Sequence, residues 1–493
     1  MASQEVAVAN EPTTLYEGNG DIEEVDADMT ELASVKSPTV VDVLPGTVTG
    51  PLSVIDVEYG ESPIVDTEHM QTWNNPPVNK WRLLAILCGF VLMGMNDSTP
   101  GALLLHIESY YQVTYTIISL CFLAPAAGYM ISAFFNSDMH IRLGRCGTIV
   151  MGLLLMCLAY SLICWAPPLP VLVLAFGLVG LGIGTLDAAW NAFVADLQNV
   201  NEIMGLMHGL YGVGATISPL IATPLATSGI KWSYYYFLLF GLGICVTCLN
   251  AYAFWGETAA KYLKDHGAGV GEDGQSQGRL SEALKNRYTI LLALFLFFYM
   301  GAEVALGSWT VTFMVTERHG DPARMGAVAS GYWFGLTTGR MVLGFVTGRI
   351  GENTMATIYL ILSIAFELVF WLSPSIVASA VGVAFVGLFF GPVFPTAMIA
   401  LTRLLPKRLH VTGIGFAAAF GGGGSAVFPF ITGAMAASKG AWVLQPLVVA
   451  LISAMIIIWM TIPTIEETGL RERILGALTL RKRNVESEVD SSD

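Results

Sequence analysis

The chain has 493 residues, of which 54% are hydrophobic and only 13% charged, with a mean hydropathy of +0.62. That balance excludes an ordinary soluble fold, because apolar runs near twenty residues recur along the chain, each long enough to cross a ~30 Å hydrocarbon core. The net charge of −14 is local: residues 1–79 hold fifteen Asp and Glu against one basic residue, Lys36, and acids and bases cancel from Lys80 onward.

The first segment, 1–79, reads as a disordered acidic cytoplasmic tail, too poor in aromatics to offset its ordering entropy. It opens MASQEVAVANEPTT, with no basic region before an apolar core, so no cleavable signal peptide is expected. Twelve spans are expected near 82–106, 116–135, 147–166, 169–195, 204–228, 232–255, 289–314, 325–348, 354–373, 376–402, 410–436 and 442–463. The polar stretch 256–288 divides them into two six-helix bundles, 80–255 and 289–465, and 466–493 is a cytoplasmic C-tail that could lie on the inner leaflet as a basic amphipathic stretch. With both termini cytoplasmic, eighteen Lys and Arg fall in inner segments and four in outer loops, which satisfies the positive-inside bias. The one sequon, Asn96-Asp97-Ser98, lies inside a span, so no N-glycan is expected. The seven cysteines, Cys88 to Cys248, read as small buried packing residues, the Cys245/Cys248 pair included.

Several charges stand inside these spans, where a carboxylate costs about 2.5–3.5 kcal/mol at mid-depth. Asp97 lies near the middle of the first span, flanked by Met93 and Gly101, and reads as a coupling or substrate group; the alternative is a buried structural acid. Asp187 shares its helix face with Gly180, Gly184 and Asn191. The glycines suit close packing, but an acid and an amide on one face suit proton binding and substrate contact. Glu303, four residues after Tyr299, reads as a substrate hydrogen-bonding group or a structural acid. Glu367 reads as a protonated or lipid-interface acid, and Arg340 as a snorkelling cation or a counter-charge. The Gly421–Gly424 run is followed by no Lys-Ser/Thr and is no phosphate loop. Gly391, Pro392 and Pro395 predict a bend in the tenth span.

The two halves repeat. Arg142-Leu-Gly-Arg145 returns as Arg349-Ile-Gly351, and the Gly180/Gly184 pair as Gly387/Gly391, each 207 residues on. Six plus six spans, a long central loop and basic R-x-G loops after spans 2 and 8 resemble the major facilitator superfamily. That family's loop motif carries an acid where this chain has Ile141 and Gly348, so the latch it implies lacks its acid in both copies. Asn96-Asp97, together with Gly182-(x)4-Asp187-(x)3-Asn191-(x)-Phe193, is similar to the fucose–proton symporter branch. The resemblance implies that Asp97 and Asp187, the latter replacing a Glu, carry substrate and proton coupling. The His208-Gly-Leu-Tyr211 run resembles the glycine-rich fifth span of that branch, and Gly301-Ala302-Glu303 with Trp309 resembles its fungal relatives.

The expected function is secondary active transport of a small sugar-like or other neutral metabolite, coupled to protons by alternating access, since no ATP-binding motif is present. The expected groups are Asp187 and Asp97 for the proton and Asp97, Asn96, Asn191, Glu303, Tyr211 and Trp309 for substrate. Proton-driven export of a secondary metabolite or drug is the alternative, and a non-transporting nutrient sensor the second. No nucleophile–base pair or metal set suggests an enzyme. The expected partners are substrate, protons and the lipid bilayer, with no cofactor and no nucleic acid, for a monomer in the plasma membrane.

Overall fold

A hydrocarbon environment admits only segments that satisfy their own backbone hydrogen bonds, and the apolar runs of this chain do so as helices. The computed structural model describes residues 71–198, 200–266, 281–406 and 409–463; the expected N-terminal tail up to 70, the middle of the central loop and the C-tail lie outside the described residues. Long helices dominate: α1 (Val78–Tyr111), α2 (Leu120–Cys164), α3 (Leu169–Ala195), α4 (Val200–Thr227), α5 (Tyr235–Ala253), the short α6 (Ala259–His266), α7 (Arg287–Thr316), α8 (Pro322–Thr338), α9 (Glu352–Leu372), α10 (Ile376–Phe390), α11 (Val393–Leu404), α12 (His410–Lys439) and α13 (Leu444–Thr461). Among the described residues ten helices are long and apolar enough to cross a membrane by length and composition.

Two of the expected spans carry local irregularities. The residues expected as spans 2 and 3 lie on either side of a kink in α2 at Gly144, whose φ of 71° and ψ of 178° leave the helical region and suit glycine. The expected span at 325–348 is helical throughout, from Pro322 to Ile350, with a π-helical segment, the π-turn Gly339–Leu343, between α8 and the short helix Gly344–Ile350. The bend expected in the tenth span is present, where Gly391 and Pro392 separate α10 from α11.

Lipid tails supply no hydrophobic force between helices, so small residues that let backbones meet must supply the packing. A Cβ on Gly180 would stand 1.8 Å from the Pro125 carbonyl oxygen, and one on Gly387 would stand 2.2 Å from that of Tyr332. These two contacts are 207 positions apart, so α2 meets α3 as α8 meets α10. The repeat seen in the sequence is a repeat of helix packing.

The polar end of each half is tied by an ion pair, and the pairs are reversed copies of each other. Arg145 donates to Asp196 at 2.9 Å, and Arg403 donates through both Nη atoms to Glu352 at 2.9 and 2.7 Å. Positions 145 and 352, like 196 and 403, are related by the same offset, with the charges exchanged. The motif's acid is absent at Ile141 and Gly348, and the carboxylates paired at these ends are Asp196 and Glu352. Glu257, beyond α5, adds to them: its Oε1 accepts from Arg82 and Lys261, each at 2.6 Å. Burial opposes the charge on Glu257, but Lys261 and Arg82 outweigh it and hold the carboxyl below the usual glutamate range. The cysteine expectation holds in part: Cys121, Cys157 and Cys164 are buried, whereas Cys245 and Cys248 are exposed on α5.

Candidate functional site

Helices α1 and α4 touch backbone to backbone. A Cβ on Gly94 would lie 1.9 Å from the Tyr211 carbonyl oxygen, and one on Gly214 would lie 2.1 Å from that of Val91. This approach brings the Tyr211 hydroxyl to Asp97, donating to Oδ2 at 2.8 Å, while the Asn96 amide donates to Oδ1 at 2.9 Å. Asp97 itself is exposed, although Met95, Asn96 and Ser98 around it are buried. The carboxylate therefore projects from a packed helix face into open space. Two residues further, Thr99 bonds Ser218 at 2.8 Å and Ser218 bonds Tyr235 at 2.8 Å, fixing α1, α4 and α5 together.

Asp187 on α3 has a matching set of partners. The Tyr129 hydroxyl of α2 donates to Oδ2 at 2.7 Å, and Asn191, one turn on, donates to Oδ1 at 2.8 Å. Each acid is thus held by one phenol and one amide. Neither has a salt-bridge cation among the described residues. Neutral donors orient a carboxylate and leave it lone pairs for a proton or a hydroxyl. Tyr129 escaped the sequence reading. It sits beside Gly128 on the α2 face that meets the small-residue stripe of α3, and pairing those stripes would have placed it against Asp187.

The other half is built differently. Glu303 on α7 is buried, and Nη2 of Arg340, which stands in the π-turn, donates to its Oε1 at 2.8 Å and its Oε2 at 3.0 Å. The Tyr332 hydroxyl donates to the Glu303 main-chain oxygen at 2.9 Å. Arg340 accordingly does not snorkel; it is the counter-charge of Glu303. The two halves meet beside these groups: a Cβ on Gly212 of α4 would stand 1.9 Å from the Thr337 hydroxyl of α8, and His208, exposed on α4, sets its ring edge-on to Phe90.

Two expected placements fall elsewhere. Trp309 is fully buried, with its indole N–H donating to the Pro429 carbonyl at 3.1 Å and its ring edge-on to Tyr115, so it is packed between helices and not brought to the acids. Glu367 is fully buried, so it is no lipid-interface acid; neither of its oxygens has a hydrogen-bond partner among the described residues.

Comparison with known proteins agrees with this architecture. The sequence model of the Major Facilitator Superfamily matches residues 86–320 and 295–485. The chain is 35% identical, over 74% of its length and 78% of the relative's, to Bypass of stop codon protein 6 of Saccharomyces cerevisiae. It is 22% identical to a glucose/mannose transporter of Bacillus subtilis, covering 70% of this chain and 85% of that one. It is 24% identical to a glucose/galactose transporter of Brucella abortus, covering 73% and 87%. In fold it resembles a bacterial homolog of the human lysosomal transporter Spinster, with a TM-score of 0.61 at 13% identity over 80% of this chain and 98% of the other.

Proposed function

The chain belongs to the major facilitator superfamily of membrane transporters, and from that premise we propose that it carries a neutral sugar together with protons. The observation that carries the reading is the pair of acids, Asp97 and Asp187, each held by a tyrosine and an asparagine. The names of the bacterial relatives, glucose/mannose and glucose/galactose transporters, favour a hexose as cargo.

Coupling follows from the cost of a bare carboxylate. With its acids ionised and no sugar bound, the carrier would have to enclose charge in hydrocarbon, at about 2.5–3.5 kcal/mol for each acid. A proton on Asp187 removes one charge without disturbing Tyr129 or Asn191. Asp97, exposed in the cleft, accepts hydrogen bonds from sugar hydroxyls while Tyr211 and Asn96 hold it, and Asn191 offers an amide to the same cleft. Loaded with both, the site closes at low cost; loaded with one, it resists closure.

Close contacts between the halves are compatible with an alternating-access cycle. Gly101 meets Ser308, Gly326 meets Thr223 and Gly433 meets Ser119 toward the end of the helices remote from the Arg145 and Glu352 pairs, while Gly212 meets Thr337 nearer mid-depth and Gly209 lies beside Met341. In the twelve-span arrangement with both termini cytoplasmic, the first three contacts fall at the outer end, which supports reading the carrier as closed there. The reading includes two six-helix bundles, 80–255 and 289–465, acting as a monomer in the plasma membrane.

Counterflow of labelled glucose, mannose and galactose into proteoliposomes tests the cargo. Exchange of at least one of them supports the reading. Binding without exchange would favour a sensor, and exchange of apolar compounds alone would favour an exporter; either overturns it.

A further inference from the structure

The Glu303–Arg340 pair has a geometry that its charge balance alone does not require. Both Glu303 oxygens are taken by one nitrogen of the guanidinium, Nη2. A guanidinium carries five N–H donors on three nitrogens, so Glu303, together with the neighbouring Tyr299 hydroxyl, engages only part of the fork. The Arg340 side chain keeps 20% of its surface exposed, against 10% for Glu303. It stands where α8 meets the other half: Met341, the next residue, reaches Gly209 of α4, and Thr337, one turn earlier, meets Gly212. The π-turn supports this aim: α10 passes so close that a Cβ on Gly339 would lie 1.9 Å from the Leu388 carbonyl oxygen. That contact helps fix the backbone from which Arg340 projects.

We propose that Arg340 is a hydrogen-bond donor to the cargo and that Glu303, by holding its charge neutral, makes the carrier select uncharged sugars over sugar acids. This rests on the sugar-carrier reading and assigns Glu303 the role of counter-ion, not of direct substrate acceptor. An unpaired guanidinium in the cleft would attract a carboxylate strongly and bidentately. Glu303 already occupies Nη2 through both oxygens, so an incoming carboxylate meets a cation whose charge is cancelled, together with the repulsion of Asp97 and Asp187. A hydroxyl needs no net charge and can accept from the N–H groups that Glu303 and Tyr299 leave. Specificity of this kind comes from a repulsive and pre-occupied site as much as from an attractive one.

The test is binding titration of the full chain in nanodiscs with D-glucose and D-glucuronate, which differ only at C6. The wild type is expected to bind glucose and to bind glucuronate at least tenfold more weakly. Glu303→Gln is expected to raise glucuronate affinity about tenfold or more, with glucose affinity changed by less than that. Unchanged glucuronate affinity in a folded Glu303→Gln protein overturns the proposal. The double variant Glu303→Gln, Arg340→Gln removes both charges and so avoids a lone buried cation should the single variant fail to fold. It is expected to lose about tenfold in glucose affinity and to gain none for glucuronate; undiminished glucose affinity overturns the donor role. Failure of the wild type to bind glucose, mannose or galactose at all would instead sink the sugar-carrier reading itself.

Discussion

Replacing Asp187 by Asn separates exchange from accumulation. In the loaded carrier the proposal has Asp187 protonated, accepting from Asn191 and meeting the Tyr129 hydroxyl, at 2.8 and 2.7 Å in the structure. An amide has the same shape, one acceptor oxygen, and donors in place of the acid O–H. Two neutral hydrogen bonds therefore replace two neutral hydrogen bonds. The net change is expected to stay below about 1 kcal/mol, or roughly fivefold in exchange. Accumulation behaves otherwise. One coupled proton and one unit of pH gradient supply about 1.4 kcal/mol, enough for about tenfold concentration of sugar. Asp187→Asn carries no titratable proton there, so its accumulation ratio should fall to one. The assay is uptake and counterflow of labelled sugar in the same proteoliposomes with an imposed gradient. If Asp187→Asn still concentrates sugar tenfold, the proton is bound elsewhere and the reasoning fails.

Tyr211→Phe removes the hydroxyl that donates to Asp97 at 2.8 Å, a charge-assisted bond, and should weaken sugar binding about tenfold in a titration; unaltered affinity would detach Tyr211 from the site. Asp97→Asn should weaken both exchange and uphill transport, unlike Asp187→Asn, and equal affinity in wild type and variant would leave Asp97 a packing or gating acid. Gly94→Ala places a Cβ 1.9 Å from the Tyr211 main-chain oxygen, which cannot rotate away, so about 1–3 kcal/mol of stability should be lost and seen as a lower thermal unfolding midpoint. Glu257 is held below the usual glutamate value of about 4.3 by Lys261 and Arg82 against the effect of its burial, so its stabilising contribution is complete at neutral pH and lost as pH falls through that lowered value. Hydrogen exchange in α6 should accelerate only on such acidification, and Glu257→Gln should show the faster exchange already at pH 7; identical protection in both at pH 7 would contradict this.

Much of this was legible in the sequence because membrane insertion makes every charge conspicuous. Asp97 with Asn96, and Asp187 with Asn191, are local pairs, one or four residues apart, and helix geometry alone places them together. The 207-residue offset likewise foretold which helices pack alike, since Gly180 and Gly387 occupy the same contact. Partners distant in the chain were not legible. Tyr129 lies 58 residues from Asp187, and Arg340 lies 37 from Glu303. Whether Arg340 reached lipid headgroups or a neighbouring acid depended on a π-turn that composition does not reveal. Trp309, expected at the site from the resemblance to the fungal relatives, stands six residues beyond Glu303, and its ring is consumed by Tyr115 and the Pro429 carbonyl. Ile141 and Gly348 showed where the motif's acid is absent, but not that Asp196, Glu257 and Glu352 pair with the nearby cations, because these acids come from other segments or from beyond the motif's acid position.

Simultaneous measurement of sugar and proton movement tests the coupling most directly. Proteoliposomes enclosing a pH-sensitive dye, with no initial gradient, receive a saturating pulse of the hexose that exchanges best. The expected result is acidification of the lumen in step with sugar entry, about one proton per sugar, absent from Asp187→Asn. Sugar entry with no change in lumenal pH, or with alkalinisation, would contradict proton symport.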